Sequence, residues 1–205
     1  MRLKRLVNDL VDLGALQSGA YRLELAPVKV AQFVASCLEA VMPDARVAGV
    51  SLEGGLVPGA PPILHTDEAR LRQLLVILLE RSVRTSASAS LSLVVRRGPP
   101  TSADQPGMCA GDCLEFEVGD APRSAAATPQ AGRRAMRRSR LTAADRAGLS
   151  LALASRLCEA LGGRMVVEEL PGAPPRFFVW MPLGLPAAER VVEEPSWSPV
   201  LPKGV

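Results

Sequence analysis

The stretch Asp67–Thr85, DEARLRQLLVILLERSVRT, decides how the rest of the chain is read. Leu71, Leu74, Leu75, Leu78 and Leu79 fall at i, i+3, i+4, i+7 and i+8. That spacing makes one apolar stripe on a 3.6-residue period and predicts an amphipathic helix. At about 100° per residue, Arg70, Gln73, Ile77, Arg81 and Arg84 project together, well away from the stripe. A helix with one face in a core and a second face of arginines and an amide has the form of a pocket wall.

Working outward toward the N-terminus, Ile63-Leu64 reads as a short strand after a Gly/Pro loop from Gly54 to Pro62. Arg46–Leu52 alternates and predicts a strand. Val30, Phe33, Val34, Cys37, Leu38 and Val41 share one face of a helix expected over Val28–Val41, with Pro43 ending it. Tyr21–Leu25 reads as a strand. Leu3, Leu6, Leu10 and Leu13 repeat at 3-4-3 spacing with Val7 beside them, a short coiled-coil seam ending at Gln17-Ser18-Gly19. Two heptads are marginal alone. The seam therefore pairs with a partner helix or a second copy, or else packs on its own domain.

Toward the C-terminus, Ser90–Arg96 is an expected strand, Gly98–Asp112 a loop and Cys113–Val118 a strand. An irregular stretch runs from Gly119 to about Leu141. Ala147–Leu161 is an expected helix closed by Gly162-Gly163, and Arg164–Leu170 pairs with Arg176–Met181 in a hairpin. Residues 184–205 hold four prolines with little periodicity and read as a flexible tail. Strands joined pairwise without helices argue against an all-parallel sheet. An α+β fold, a mixed sheet with helices on one face, is expected instead. The expected division is a dimerisation-type helix over 1–20, a domain over 21–183 and the tail.

Composition narrows the classes. The chain has 205 residues, 48% apolar and 3% aromatic, so its core is built from Leu, Val and Ala. Net charge of +3 is too small by itself to argue for nucleic acid. No apolar run approaches the roughly 20 residues that span a bilayer, and the N-terminus reads as a charged helix rather than a signal peptide. A cytoplasmic protein without a membrane partner is expected. Cys37 and Cys158 sit among Leu and Ala and read as buried thiols. Cys109 and Cys113 could form half a metal site, but the sequence offers no second pair and one histidine, His65. Neither a zinc site nor a catalytic histidine is expected.

Five segments, in order, resemble the C-terminal region of histidine kinases: the end of the dimerisation hairpin followed by the ATP-binding domain of the GHKL (Bergerat) fold. RLVNDLVDLGALQSGAYRLELAPVKVAQFV is similar to the family's exit helix and linker, and ARLRQLLVILLERSVRTS to its asparagine-box helix. LEFEVGD resembles the strand entering the first glycine box, AGLSLALASRLCEALGGRMVVEE the second glycine box with its helix and strand, and RFFVWMPL the closing strand. The resemblance implies a two-layer α/β sandwich and a nucleotide site against the central helix.

The functional residues of that family are changed. Its helix carries two asparagines four apart, the second coordinating Mg²⁺; here those positions are Ile77 and Arg81, with the following basic residue kept as Arg84. The first glycine box, Asp-x-Gly-x-Gly, reads Asp120-Ala121-Pro122-Arg123-Ser124. The Asp that would take the adenine amino group is present, both glycines are not, and Pro122 removes an N–H donor. The second box reads Arg146-Ala147-Gly148-Leu149-Ser150, with one glycine of three. The phosphoacceptor histidine stands on the hairpin's first helix, before the stretch matched here. Nucleotide-binding positions, if retained, are Asp120, Arg81, Arg84, Gly148, Leu149 and Ser150.

Mg²⁺ takes hard oxygen ligands, so Arg81 cannot hold it. Arg81 either forks onto phosphate where the metal would be, or is a solvated residue over an empty pocket. Mg²⁺ is therefore not expected, and ATP or ADP stays an open possibility. An Asp after a strand is also a common turn residue, so Asp120 alone carries little weight. At the place of the ATP lid, Arg123–Arg146 carries seven arginines against Asp145. Arg133, Arg134, Arg137 and Arg138 are candidates for docking an acidic partner such as a response-regulator receiver domain, or mark a solvated loop. No aromatic residue is interleaved for base stacking, which counts against nucleic acid. Leu3, Leu6, Leu10 and Leu13 are candidates for a homodimer contact. Two readings follow: a degenerate, non-catalytic module in two-component phosphorelay signalling, or an active ATP-binding kinase domain whose histidine lies outside this chain.

Overall fold

The computed structural model describes residues 23–86, 89–98, 112–120, 149–169 and 173–183, with Gly14 alone upstream. Strand β1 (Ala26–Lys29) leads into helix α1 (Val30–Ala48), then β2 (Ser51–Leu56) and β3 (Ile63–Thr66). Helix α2 (Glu68–Thr85) follows, then β4 (Ser90–Arg97) and β5 (Cys113–Asp120). Helix α3 (Leu149–Ala160) precedes the hairpin of β6 (Arg164–Glu168) and β7 (Arg176–Pro182). The main sheet has the order β2-β4-β5-β7-β6; β2 runs parallel to β4 and the other pairs are antiparallel. This is the α+β mixed sheet that the pattern predicts.

The stretch that opened the analysis is α2, and it sits between α1 and α3. Asp67 caps it, its Oδ1 accepting from the Arg70 N–H at 3.1 Å. The stripe Leu71, Leu74, Leu75, Leu78 and Leu79 is fully buried. It packs into one core with Phe33, Val34 and Cys37 of α1, with Leu93 and Val95 of β4 and with Phe116 and Val118 of β5. All three helices contribute to that core, on one face of the sheet.

Three boundaries differ from expectation. Helix α1 passes through Pro43 and continues to Ala48, so Arg46–Ala48 is helix rather than strand. Pro43 is exposed, so the carbonyl it leaves unpaired one turn earlier faces water, while the buried stripe continues through Val41 to Ala45. The stop comes instead at Gly49, at φ 71°, where its N–H and that of Val50 return to Arg46 and Ala45. Second, Leu23–Leu25 is not strand; the pairing falls one step later, Ala26–Lys29 against Ile63–Thr66, in a two-stranded antiparallel sheet. Pro27 is tolerated because such a ribbon has outward positions needing no donor. Third, β2 runs through Gly54 and Gly55, assigned to a loop by composition. A Cβ on Gly54 would stand 2.4 Å from Leu38 Cδ1 and 3.2 Å from Val34 Cγ1, so the missing side chain lets α1 lie close on this strand.

The opposite sheet face combines an ionic network with a small apolar cluster. Arg96 of β4 pairs with Glu117 of β5 and stands 3.4 Å from Glu115. Arg176 of β7 reaches Glu117 at 2.5 Å, and the Trp180 indole N–H donates to Glu115 at 2.7 Å. Phe178 stacks on Trp180 beside Cys113 and Val166. Gly119 leaves room for Arg176: a Cβ there would lie 3.0 Å from its Cγ.

The coiled-coil residues Leu3, Leu6, Leu10 and Leu13, the stretch 99–111 and the tail 184–205 lie outside the described residues. Among the described residues, no helix is long and apolar enough to cross a membrane.

Candidate functional site

The second face of α2 meets the end of β5. Arg70 Nη1 donates to Gln73 Oε1 at 2.8 Å, which holds both side chains along the helix. Ile77 is half-buried and packs against the core. Arg81 is half-buried, and its Nε is a buried donor without an acceptor among the described residues. Arg84 is exposed in the last turn. Thr85 Oγ1 donates to the Arg81 carbonyl at 3.1 Å. Helix α2 stops at Ser86, whose backbone is extended.

Ser86 is the residue that sequence reasoning missed. Its hydroxyl donates to Asp120 Oδ1 at 2.6 Å, joining the end of α2 to the last residue of β5 across 34 positions. Asp120 is therefore a strand-end carboxylate that accepts from the residue closing α2. The pair spares most of its acceptor capacity, since an ionised carboxylate offers about four lone-pair positions. Next to it, Ser92 Oγ donates to the Gly119 carbonyl at 3.3 Å, closing the same strand end. The signal was available, as a hydroxyl directly after the helix. The pairing needs the register that sets Leu91 opposite Asp120, which no local pattern provides.

Of the proposed nucleotide-binding residues, the structure brings Arg81, Arg84 and Asp120 to one end of α2. Leu149 is the first residue of α3, and Ser150 is half-buried in its first turn. Gly148, the first glycine box after Asp120, and Arg133, Arg134, Arg137 and Arg138 lie outside the described residues.

The donor set decides which groups fit. At the position that the resemblance assigns to the metal ligand, the side chain is a cation whose Nε has no acceptor among the described residues, and a guanidinium does not ligate Mg²⁺. An anion does, because guanidinium offers donors in a fixed fork. His65 lies exposed on β3 opposite Pro27, away from this end of α2. Cys37, Cys113 and Cys158 are buried and form no disulfide among the described residues, and Cys109 is outside those residues. Burial pushes the Cys37 thiol up to about 12, with the Arg72 charge pulling the other way and the Glu68 charge adding to the rise. It is a core group, not a nucleophile.

No protein-family model matches the chain. In sequence it is similar to the circadian input-output histidine kinase CikA of Synechococcus elongatus, 27% identical over 186 residues. That match covers 88% of this chain and 23% of the relative. It is also similar to the sensor protein GacS of Pseudomonas syringae pv. syringae, 24% identical over 189 residues, covering 92% and 20%. The chain thus spans about a quarter or less of the length of these relatives. Among solved structures, full-length ShkA in complex with AMPPNP aligns with TM-score 0.63 and 26% identity, over 90% of this chain and 36% of that one. The Acinetobacter baumannii histidine kinase AdeS aligns with TM-score 0.61 and 19% identity, over 89% and 79%, a likeness of fold. Sequence relatives and structural neighbours are alike histidine kinases, and the chain is similar in sequence and fold to their C-terminal region.

Proposed function

We propose that this domain is a degenerate histidine-kinase ATP-binding module, working by binding rather than by Mg²⁺-dependent phosphoryl transfer. The observation that carries it is Arg81. Phosphoryl transfer in this chemistry relies on a metal ion to gather charge on the transferring group. Arg81 puts a fixed cation where the ligand for that ion would stand, its Nε buried and unmatched. Ile77, apolar, half-buried and packed against the core, offers no amide at the other asparagine position. Its place is in two-component phosphorelay signalling, with residues 21–183 as the binding unit in the cytoplasm. A receiver domain or another signalling protein docks on it, and a homodimer forms through Leu3, Leu6, Leu10 and Leu13. The GacS and CikA likenesses support the signalling context.

A second reading has its own support. The base end of the site keeps Asp120, fixed by Ser86, and ShkA was solved with AMPPNP. On this reading the domain still holds adenine nucleotide and serves a kinase whose histidine lies elsewhere. Calorimetric titration with ATP and ADP, with and without Mg²⁺, separates the two. Micromolar binding that requires Mg²⁺ overturns the degenerate reading. Binding indifferent to Mg²⁺ assigns Arg81 to phosphate, and Arg81→Ala then abolishes it. The dimer is checked by sedimentation of Leu6→Asp/Leu10→Asp, which should halve the mass.

A further inference from the structure

The chain reaches the domain through residues 23–25, and what those residues hold is not the main sheet. Among the described residues strand β1 pairs with β3 alone, setting Ala26 opposite Thr66 and Val28 opposite Leu64. Thr66 is followed by Asp67, and Asp67 by the first residue of α2, so no loop separates β3 from the central helix. Asp67 is 5% exposed and divides its carboxylate between two elements. Oδ1 accepts from the Arg70 N–H at 3.1 Å, inside α2. Oδ2 accepts from the Glu24 N–H at 3.1 Å, in the entering chain. Leu23, just before, packs against the core.

We infer that Asp67 is a positioning residue that couples the chain entering the domain to the central helix. A helix cap needs one oxygen, and Ser or Asn serves as well as Asp. A buried carboxylate is costly unless both oxygens are matched. The second oxygen is matched by an amide 43 positions away. A displacement of residues 23–25 is therefore delivered to the first turn of α2. From there it passes along a rigid rod at about 1.5 Å per residue to Arg81, some 21 Å away. Whatever α2 binds, its position answers to the segment upstream.

The test is Asp67→Asn. The one amide oxygen can cap Arg70, but the amide nitrogen then faces the Glu24 N–H as a second donor. Amide exchange followed by NMR on the full chain should show Glu24 exchanging about tenfold faster or more, with Arg70 and Leu71 still protected. The second arm reads the coupling. Leu23→Ala loosens the entering chain and should raise exchange at Arg70 and Leu71 several-fold in the native background. In the Asp67→Asn background it should add nothing. An equal response in both backgrounds, or none in the native one, overturns the inference and leaves Asp67 a cap only. If Asp67→Asn does not fold, Asp67→Ser keeps a capping oxygen, cannot serve both elements, and takes its place in the same comparison.

Discussion

Removing the Ser86 hydroxyl should weaken the protein by an amount set by its bond to Asp120. A hydrogen bond to a charged group contributes about 1.5–3 kcal/mol net when buried. Both residues are half-buried, so solvent screens the carboxylate and reduces the contribution to about 1–1.5 kcal/mol. Ser86→Ala should therefore lower the melting temperature by about 2–6 °C, given roughly 2–4 °C per kcal/mol for a chain of this size. Ser86 makes other contacts as well, so the single variant does not isolate the bond. The assay is a double-mutant cycle with Asp120→Ala, each variant unfolded in urea with the slope checked for constancy. A coupling energy near 1 kcal/mol is expected. Additivity within about 0.3 kcal/mol would refute the claim that this bond joins α2 to β5.

Three further outcomes are expected. Glu117→Ala leaves Arg96 and Arg176 facing each other without their shared carboxylate; it should cost about 3–5 kcal/mol in chemical denaturation, against below about 1 kcal/mol for the exposed pair Arg97–Asp112. Alkaline unfolding should carry the signature of Cys37: the native thiol keeps its proton up to about 12 while the unfolded one loses it from about 9, so the unfolded state binds fewer protons and stability falls between those values by at most about 1.4 kcal/mol per pH unit. Cys37→Ser should flatten that slope, even though it lowers stability at neutral pH. Gly54→Val forces Leu38 and Val34 of α1 away from β2 and should cost about 1–3 kcal/mol by thermal melting, whereas Gly55→Val, with open space around it, should cost less than about 1 kcal/mol.

The parts legible in the sequence were those written in local periodicity. Five leucines on α2 announced both the helix and its buried face, and Gly162-Gly163 announced the end of α3, where both N–H groups return to the last turn. Pro43 misled because its effect depends on which way the helix faces, a tertiary matter. The strand at Ala26–Lys29 was displaced because its partner, β3, lies 37 positions on and sets the register. The outward network of Arg96, Glu115, Glu117, Arg176 and Trp180 has no local signature at all, since Trp180 and Glu115 meet across 65 positions. At the site, residue type was readable at Arg81 and Asp120, but the contact that orients Asp120 was not.

The parallel pairing of β2 with β4 has a kinetic consequence. Ser51 lies opposite Ser90, and everything between them, β3 and α2 included, must be placed before that pair can close. Long loop closures cost entropy before they return contacts, which slows folding. The β6–β7 hairpin, whose strands are separated by only seven residues in sequence, has no such delay. In refolding, the C-terminal hairpin should gain protection early and β2 last, with α2 as the element whose docking sets the rate between them.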